Sequence, residues 1–159
     1  MTDLTVAIGG FGAIGAKVAR ALDDGVPGLR LVAVSAQDHT AARSRMSGMK
    51  TSPQVVELQK LATLADIIVE CAPAKVFREV AQAAIEAGRI FIPLSCGALL
   101  RHTDLIPLAT ETGARIIVPT GALVGLDAVR ATAEGTIHSV HMITRKPPMS
   151  LSCLLYTSP

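Results

Sequence analysis

Six residues near the start of the chain, Gly10-Phe11-Gly12-Ala13-Ile14-Gly15, have the spacing G-x-G-x-x-G. Each glycine in such a turn has a mechanical purpose. The first permits a tight turn out of a strand, and the second leaves no side chain where phosphate oxygens approach the backbone. The third lets a helix lie close on a sheet. That helix then offers unpaired N–H groups and a partial positive charge at its first turn. Alone, the hexapeptide is a weak signal; it needs a strand before it and a helix after it. Both patterns are present. Residues 5–8 (TVAI) form a short apolar run, and in 13–22 Ile14, Val18 and Leu22 recur every four residues as one apolar stripe. The turn is read as a dinucleotide-binding site.

Which dinucleotide it takes is open at this level. An NAD site usually carries an acid at the end of the second strand, about 20 residues past the glycines, for the ribose hydroxyls. Ser35 holds that place, Asp38 stands three positions later, and Arg43 and Arg45 follow. Asp38 reads equally well as a helix N-cap. The arginines read as a solvated helix face or as a seat for the extra phosphate of NADP. The residues accommodate NAD or NADP.

The elements that position this turn alternate along the chain. A second strand is expected at 31–34, after the breakers Asp23-Asp24-Gly25 and Pro27-Gly28. The polar, basic stretch 40–52 reads as a helix plus loop. Residues 66–71 (DIIVEC) form a strand. Residues 74–87 form a helix with Val76, Val80 and Ala83 or Ala84 inward and Gly88 as its stop. A strand at 90–94, a helix at 104–112 and a strand at 115–118 complete the series. This alternation predicts an α/β fold, a Rossmann-type doubly wound parallel sheet. Past Pro119-Thr120-Gly121 the character changes: 126–133 is helical, and 136–144 alternates like an antiparallel strand with one wet face, the start of an α+β second domain.

Composition agrees with that architecture. Half of the 159 residues are hydrophobic but only 3% are aromatic, so the core is built from Ala, Val, Ile and Leu. Such residues suit parallel strands buried on both faces. A net charge of +2, with scattered Lys and Arg, argues against a nucleic-acid surface. Cys71, Cys96 and Cys153 have no paired spacing, so neither a zinc site nor a disulfide framework is expected. No apolar run approaches the roughly 18 residues needed to cross a bilayer. A cytoplasmic protein without a membrane partner is the expectation.

Further stretches accumulate beyond the glycine turn: VAIGGFGAIG at 6–15, DIIVECAP at 66–73, PLSCGAL at 93–99, PTGALVGLDAVRA at 119–131 and TRKPP at 144–148. Together they resemble the L-aspartate dehydrogenase family, from near the N-terminus to about residue 151. The resemblance implies NAD- or NADP-dependent oxidation of L-aspartate to iminoaspartate, which feeds pyridine-nucleotide biosynthesis. It implies cofactor contacts from Gly10, Gly12 and Gly15, with Ala13 and Ile14 at the helix start. It adds Ala122 from the G-A-[IL]-x-G motif, and Cys71, Ala72 and Ser95 at strand ends beside the nicotinamide. The family's catalytic histidine and a cofactor-holding asparagine fall in a later half. His138 and His141 do not match that histidine's motif, and Lys146, before two prolines, reads equally as a partner for a substrate carboxylate or as an ordinary surface lysine. No catalytic residue is assigned.

By this resemblance residues 1–121 form the dinucleotide-binding domain and 122–151 begin a substrate and dimerisation domain. Residues 152–159 (SCLLYTSP) match nothing before them and read as a non-native tail. The chain is then an N-terminal fragment of a homodimeric enzyme. Oxidation at Cα requires a base within hydrogen-bond reach of the amine and donors for two carboxylates, so a fragment without that base is expected to bind dinucleotide weakly and turn over no aspartate. Two other readings stand beside this one. Cys96 could serve as the nucleophile of a semialdehyde-type dehydrogenase, given a histidine or helix N-terminus to activate it. A non-catalytic nucleotide-binding regulatory module would instead need an output element, and neither terminus shows one.

Overall fold

Six short runs rich in β-branched and small apolar residues form one parallel sheet in the computed structural model, which describes residues 2–120, 125–141, 143 and 145. The strands are β1 (Leu4–Gly9), β2 (Leu29–Ser35), β3 (Gln54–Val55), β4 (Ile67–Glu70), β5 (Ile90–Pro93) and β6 (Arg115–Ile116). Their order is β3-β2-β1-β4-β5-β6, and every pairing is parallel. Connections run outward from β1 in both directions, so the order reverses between β1 and β4. In an open α/β sheet, that reversal leaves a crevice at the carboxyl ends of the strands. The expected Rossmann-type doubly wound sheet is what forms.

Parallel strands need crossovers, and helices supply them: α1 (Ala13–Gly25), α2 (His39–Arg45), α3 (Leu61–Leu64), α4 (Phe77–Glu86), α5 (Cys96–Leu99) and α6 (Leu105–Thr112). The central strands β1, β2 and β4 are buried on both faces and serve two cores. Val6, Ile8, Val34 and Val69 pack with Phe11, Ala19 and Ala42 under α1 and α2. Ala7, Ala33, Ile68 and Phe91 pack with Leu61, Val80, Ala84, Ile85 and Leu105 under α3, α4 and α6. Phe77 and Phe91 meet edge to face at 5.8 Å, anchoring the start of α4 on β5. A register shift between Val6 and Ala7 puts Leu31 and Ala33 on opposite faces, although they are two residues apart.

Several local expectations change. Ile14, expected in the apolar stripe of α1, is instead 57% exposed. Gly15 and Ala19 hold the centre of the buried face instead, and Ile14 is rotated about 100° from Gly15 on the helix. Val76 ends a short 3-10 turn, Ala74–Val76, that precedes α4, and the inward face of α4 is Phe77, Val80, Ala81, Ala84 and Ile85. The stretch 40–52 is α2 followed by turns. Asp23 at the end of α1 pins those turns, accepting the Lys50 and Thr51 N–H groups at 2.8 and 2.7 Å.

The chain divides into two units, Met1–Gly121 and Ala122–Pro159. In the second, α7 (Leu126–Thr132) forms where a helix is expected. The alternating stretch 136–144 forms no strand among the described residues, and Ile137 and Val140 are exposed. A strand exists only through ladder bonds to a neighbour, and alternation alone cannot supply them. Residues 152–159 lie outside the described residues. No helix among the described residues is long and apolar enough to cross a membrane.

Candidate dinucleotide site

The glycine turn leaves β1 at the reversal point and is tied down on both sides. Gly10 N–H donates to the Ser35 carbonyl at 3.0 Å, and Cys71 N–H donates to the Gly9 carbonyl at 2.7 Å. Gly10 has φ +104°, and a Cβ there would lie 2.6 Å from the Cys71 carbonyl oxygen. Gly15 supports close packing: a Cβ on it would fall 1.9 Å from the Gly10 carbonyl oxygen. Gly12 differs from both. Its φ is −82°, and a Cβ on it would meet nothing within 4 Å. The fold itself demands Gly10 and Gly15, whereas the space at Gly12 stands open at the mouth of α1.

That mouth carries no side-chain cap of its own, and no acid lies in the first turn of α1. At α2, by contrast, Asp38 Oδ1 accepts the Ala41 N–H at 2.9 Å, so its N-cap reading is correct. The first-turn N–H groups of α1, with the helix dipole behind them, fit an anion. An open Gly12 and an uncapped α1 fit a pyrophosphate.

Two adjoining recesses extend the cradle along the strand ends, and both are lined by Gly10, Ala36, Gln37, Ala72 and Pro73. One, of ≈ 290 Å³, is completed by Ser35, Glu57, Leu58, Lys75 and Val76. The other, of ≈ 570 Å³, is completed by Phe11, Gly12, Asp38, Ala41, Ala42, Arg45 and Cys71. Ser35, buried at the end of β2, therefore reaches the first recess, and no acid occupies its position. The structure separates the two arginines. Arg45 Nη1 donates to the Phe11 carbonyl at 3.3 Å, over the glycine turn, while Arg43 lines a different hollow with Met46 and Met49.

The remaining site residues fall as follows. Ala13 and Ile14 are exposed at the first turn of α1. Ala72 lines both recesses and Cys71 one of them. Burial, and then the nearby Glu70 charge, push the Cys71 thiol up to about 11. Ser95 lines neither recess, and its Oγ stands 3.5 Å from the Ala72 carbonyl oxygen. Ala122 lies outside the described residues, as does Lys146. His138 and His141 are exposed in the second unit.

Cys96 opens the four-residue α5, but its thiol meets no base among the described residues. Its Sγ faces the carbonyl oxygens of Pro93 at 3.5 Å and Pro119 at 3.7 Å, both acceptors that oppose a thiolate. His102 is engaged elsewhere, stacked on Phe77 at 5.7 Å with Arg78 beside it. Among the described residues no group of three His, Cys, Asp or Glu side chains could hold a metal ion. Sequence reasoning missed Glu70, wholly buried at the end of β4, and the recess walls Leu58, Lys75 and Val76. A carboxylate ending the apolar run Ile67-Ile68-Val69 was the available signal for Glu70.

Known proteins agree with this fold. The family model described as "Homoserine dehydrogenase, NAD binding domain" matches residues 10–119. The chain is 49% identical over 146 residues to an L-aspartate dehydrogenase of Bradyrhizobium diazoefficiens, covering 92% of this chain and 52% of that protein. It is 45% identical to L-aspartate dehydrogenase 3 of Bordetella bronchiseptica, over 92% of this chain and 54% of that protein. The chain thus spans about half the length of these relatives, and the resemblance read from its motifs holds. Biliverdin reductase of Synechocystis, solved with biliverdin and NADP+, superposes with TM-score 0.60 at 20% identity over 72% of this chain and 37% of that one. A putative myo-inositol dehydrogenase of Sinorhizobium meliloti superposes at 0.61 and 20%, over 82% of this chain and 41% of that one. At such identity these two speak for the fold. With the glycine turn, the reversal crevice and the family match in agreement, the chain belongs to the NAD-binding domain family of homoserine dehydrogenase type.

Proposed function

We propose that this chain is the cofactor-binding part of an NAD- or NADP-dependent L-aspartate dehydrogenase. The observation that carries the proposal is the open space at Gly12 before the uncapped α1, within a chain 49% identical to an L-aspartate dehydrogenase. When bound, the nicotinamide dinucleotide supplies the hydride acceptor. The chain's residues supply orientation. The N–H groups at the start of α1 hold the pyrophosphate, with Gly10, Gly12 and Gly15 shaping its seat. Ser35 and the recess walls Leu58, Pro73 and Val76 take the adenosine end. Cys71, Ala72 and Ser95 border the nicotinamide end, and Ala122 belongs to the same set by its motif.

The division of labour follows the sequence: 1–121 binds the cofactor, and 122–151 belongs to the part that holds the substrate and pairs subunits. We place the protein in the cytoplasm, acting on L-aspartate as a homodimer. His138 and His141 do not match the motif of the family's catalytic histidine, so these 159 residues alone are expected to turn over no aspartate. Calorimetric titration with NADH and NADPH tests the cofactor site, and no heat on a sample folded by circular dichroism refutes it. For the substrate, the chain is joined to the second half of the Bradyrhizobium relative. Aspartate-dependent cofactor reduction is expected, and a chimera that binds NADH but leaves aspartate untouched refutes that part.

A further inference from the structure

The side chain of Glu70 is 0% exposed, and it forms no ion pair among the described residues. A buried carboxylate is costly unless its oxygens are hydrogen-bonded. Both are, and by a single residue. Ser95 N–H donates to Oε2 at 2.9 Å, and Ser95 Oγ donates to Oε1 at 3.1 Å. The last main-chain bond between the two strand ends, Leu94 N–H to the Glu70 carbonyl at 3.0 Å, immediately precedes this clamp. Where the β4–β5 ladder stops, the Glu70 side chain therefore continues it.

Packing alone does not call for a carboxylate here. Ile67, Ile68 and Val69 fill the preceding positions of β4, and an apolar residue could end the strand without the desolvation cost. What the carboxylate adds is a fixed position for the loop after β5. The clamp holds Ser95 Oγ near the Ala72 carbonyl, and Cys96, the next residue, reaches the Pro93 and Pro119 carbonyls. The ends of β4 and β5 and the segment after β6 are thus joined around one carboxylate.

Its place in the crevice gives this link a purpose. A dinucleotide in a doubly wound sheet straddles the reversal point, one nucleotide to each side. With the pyrophosphate on α1 and the adenosine in the recess beside β2, the other nucleotide extends over the ends of β4 and β5. We propose, resting on the dinucleotide reading above, that Glu70 is a positioning residue. Acting through Ser95, it fixes the floor under the nicotinamide end of the cofactor.

The test compares NADH with ADP-ribose, which has the adenosine and pyrophosphate but no nicotinamide, on the full 159-residue chain. In Glu70→Leu the affinity for NADH should fall about tenfold, while that for ADP-ribose stays within about twofold. The emission of bound NADH should shift toward that of free NADH. Glu70→Gln should restore both, because its amide oxygen accepts the Ser95 N–H and its amide nitrogen donates to Ser95 Oγ. If Glu70→Leu does not fold, Ser95→Ala carries the test, with a loss of about threefold for NADH alone. A folded variant that loses both ligands equally, or neither, overturns the proposal. So does wild-type chain binding NADH no more tightly than ADP-ribose. Wild-type chain that binds neither ligand overturns the dinucleotide reading itself.

Discussion

Two alanine substitutions three residues apart, at Gly12 and Gly15, should have opposite consequences. Gly15→Ala puts a Cβ 1.9 Å from the Gly10 carbonyl oxygen, 3.1 Å from its carbon and 3.2 Å from Ile8 Cγ2. Relief requires α1 to lift by about 1 Å, because Gly10 is held by Ser35 and abuts Cys71. Overpacking of that severity costs about 3 kcal/mol or more, against about 1 kcal/mol gained from alanine's helix propensity. The net loss is at least about 2 kcal/mol. Gly12→Ala meets no atom and keeps an allowed φ of −82°. Its poorer capping is offset by a less flexible unfolded chain, so stability should change by no more than about 0.5 kcal/mol. Its methyl group, however, enters the space where the proposed pyrophosphate would lie, and NADH affinity should fall at least about tenfold, or 1.4 kcal/mol. Urea denaturation reads the first quantity and calorimetry the second. If Gly12→Ala binds NADH like wild type, or Gly15→Ala is as stable as wild type, the separation of fold-required from ligand-required glycines is wrong.

Other expectations concern the elements around the cleft. Asp38→Ala removes the N-cap of α2 and should cost about 1 kcal/mol in urea denaturation; an unchanged midpoint would contradict the bond to Ala41. In a Cys96→Ser, Cys153→Ser background, Cys71 should react slowly with iodoacetamide near neutral pH and speed up only toward pH 11, because the thiol is raised from 9.0 to about 11. The same shift fixes a sign. The folded state favours the protonated thiol, so its contribution to stability is present below pH 9 and lost as the pH rises from 9 to 11. Alkylation at pH 8 as fast as that of a free cysteine would count against both statements.

The parts legible in the sequence are those whose causes lie close together along the chain. The strand, glycine turn and helix of residues 4–25 are such a unit, and so is Gly88, whose φ of +68° stops the helix before it. Asp38 could be read as a cap because its acceptor and donor are three residues apart. Less legible was β3, two residues long, which exists because β2 offers it ladder bonds: Val56 N–H reaches the Val34 carbonyl at 3.0 Å. The stretch 136–144 shows the converse, an alternating pattern without a paired neighbour among the described residues.

Side-chain roles divide the same way. Nothing in the spacing of Arg43 and Arg45 tells which faces the glycine turn; the direction of α2 across the sheet decides it. Glu70 and Ser95 are 25 residues apart, and only parallel pairing of β4 with β5 brings a carboxylate and its two donors together. The amino-acid sequence by itself determined the glycine turn, the main alternation of strands and helices, and the resemblance to L-aspartate dehydrogenases. Tertiary structure alone decided which face of α1 is buried, which arginine reaches the cleft and what satisfies its buried carboxylate. Backbone preferences and glycine's conformational freedom act over a few residues, whereas burial and hydrogen-bond pairing depend on chain segments that only the folded sheet makes neighbours.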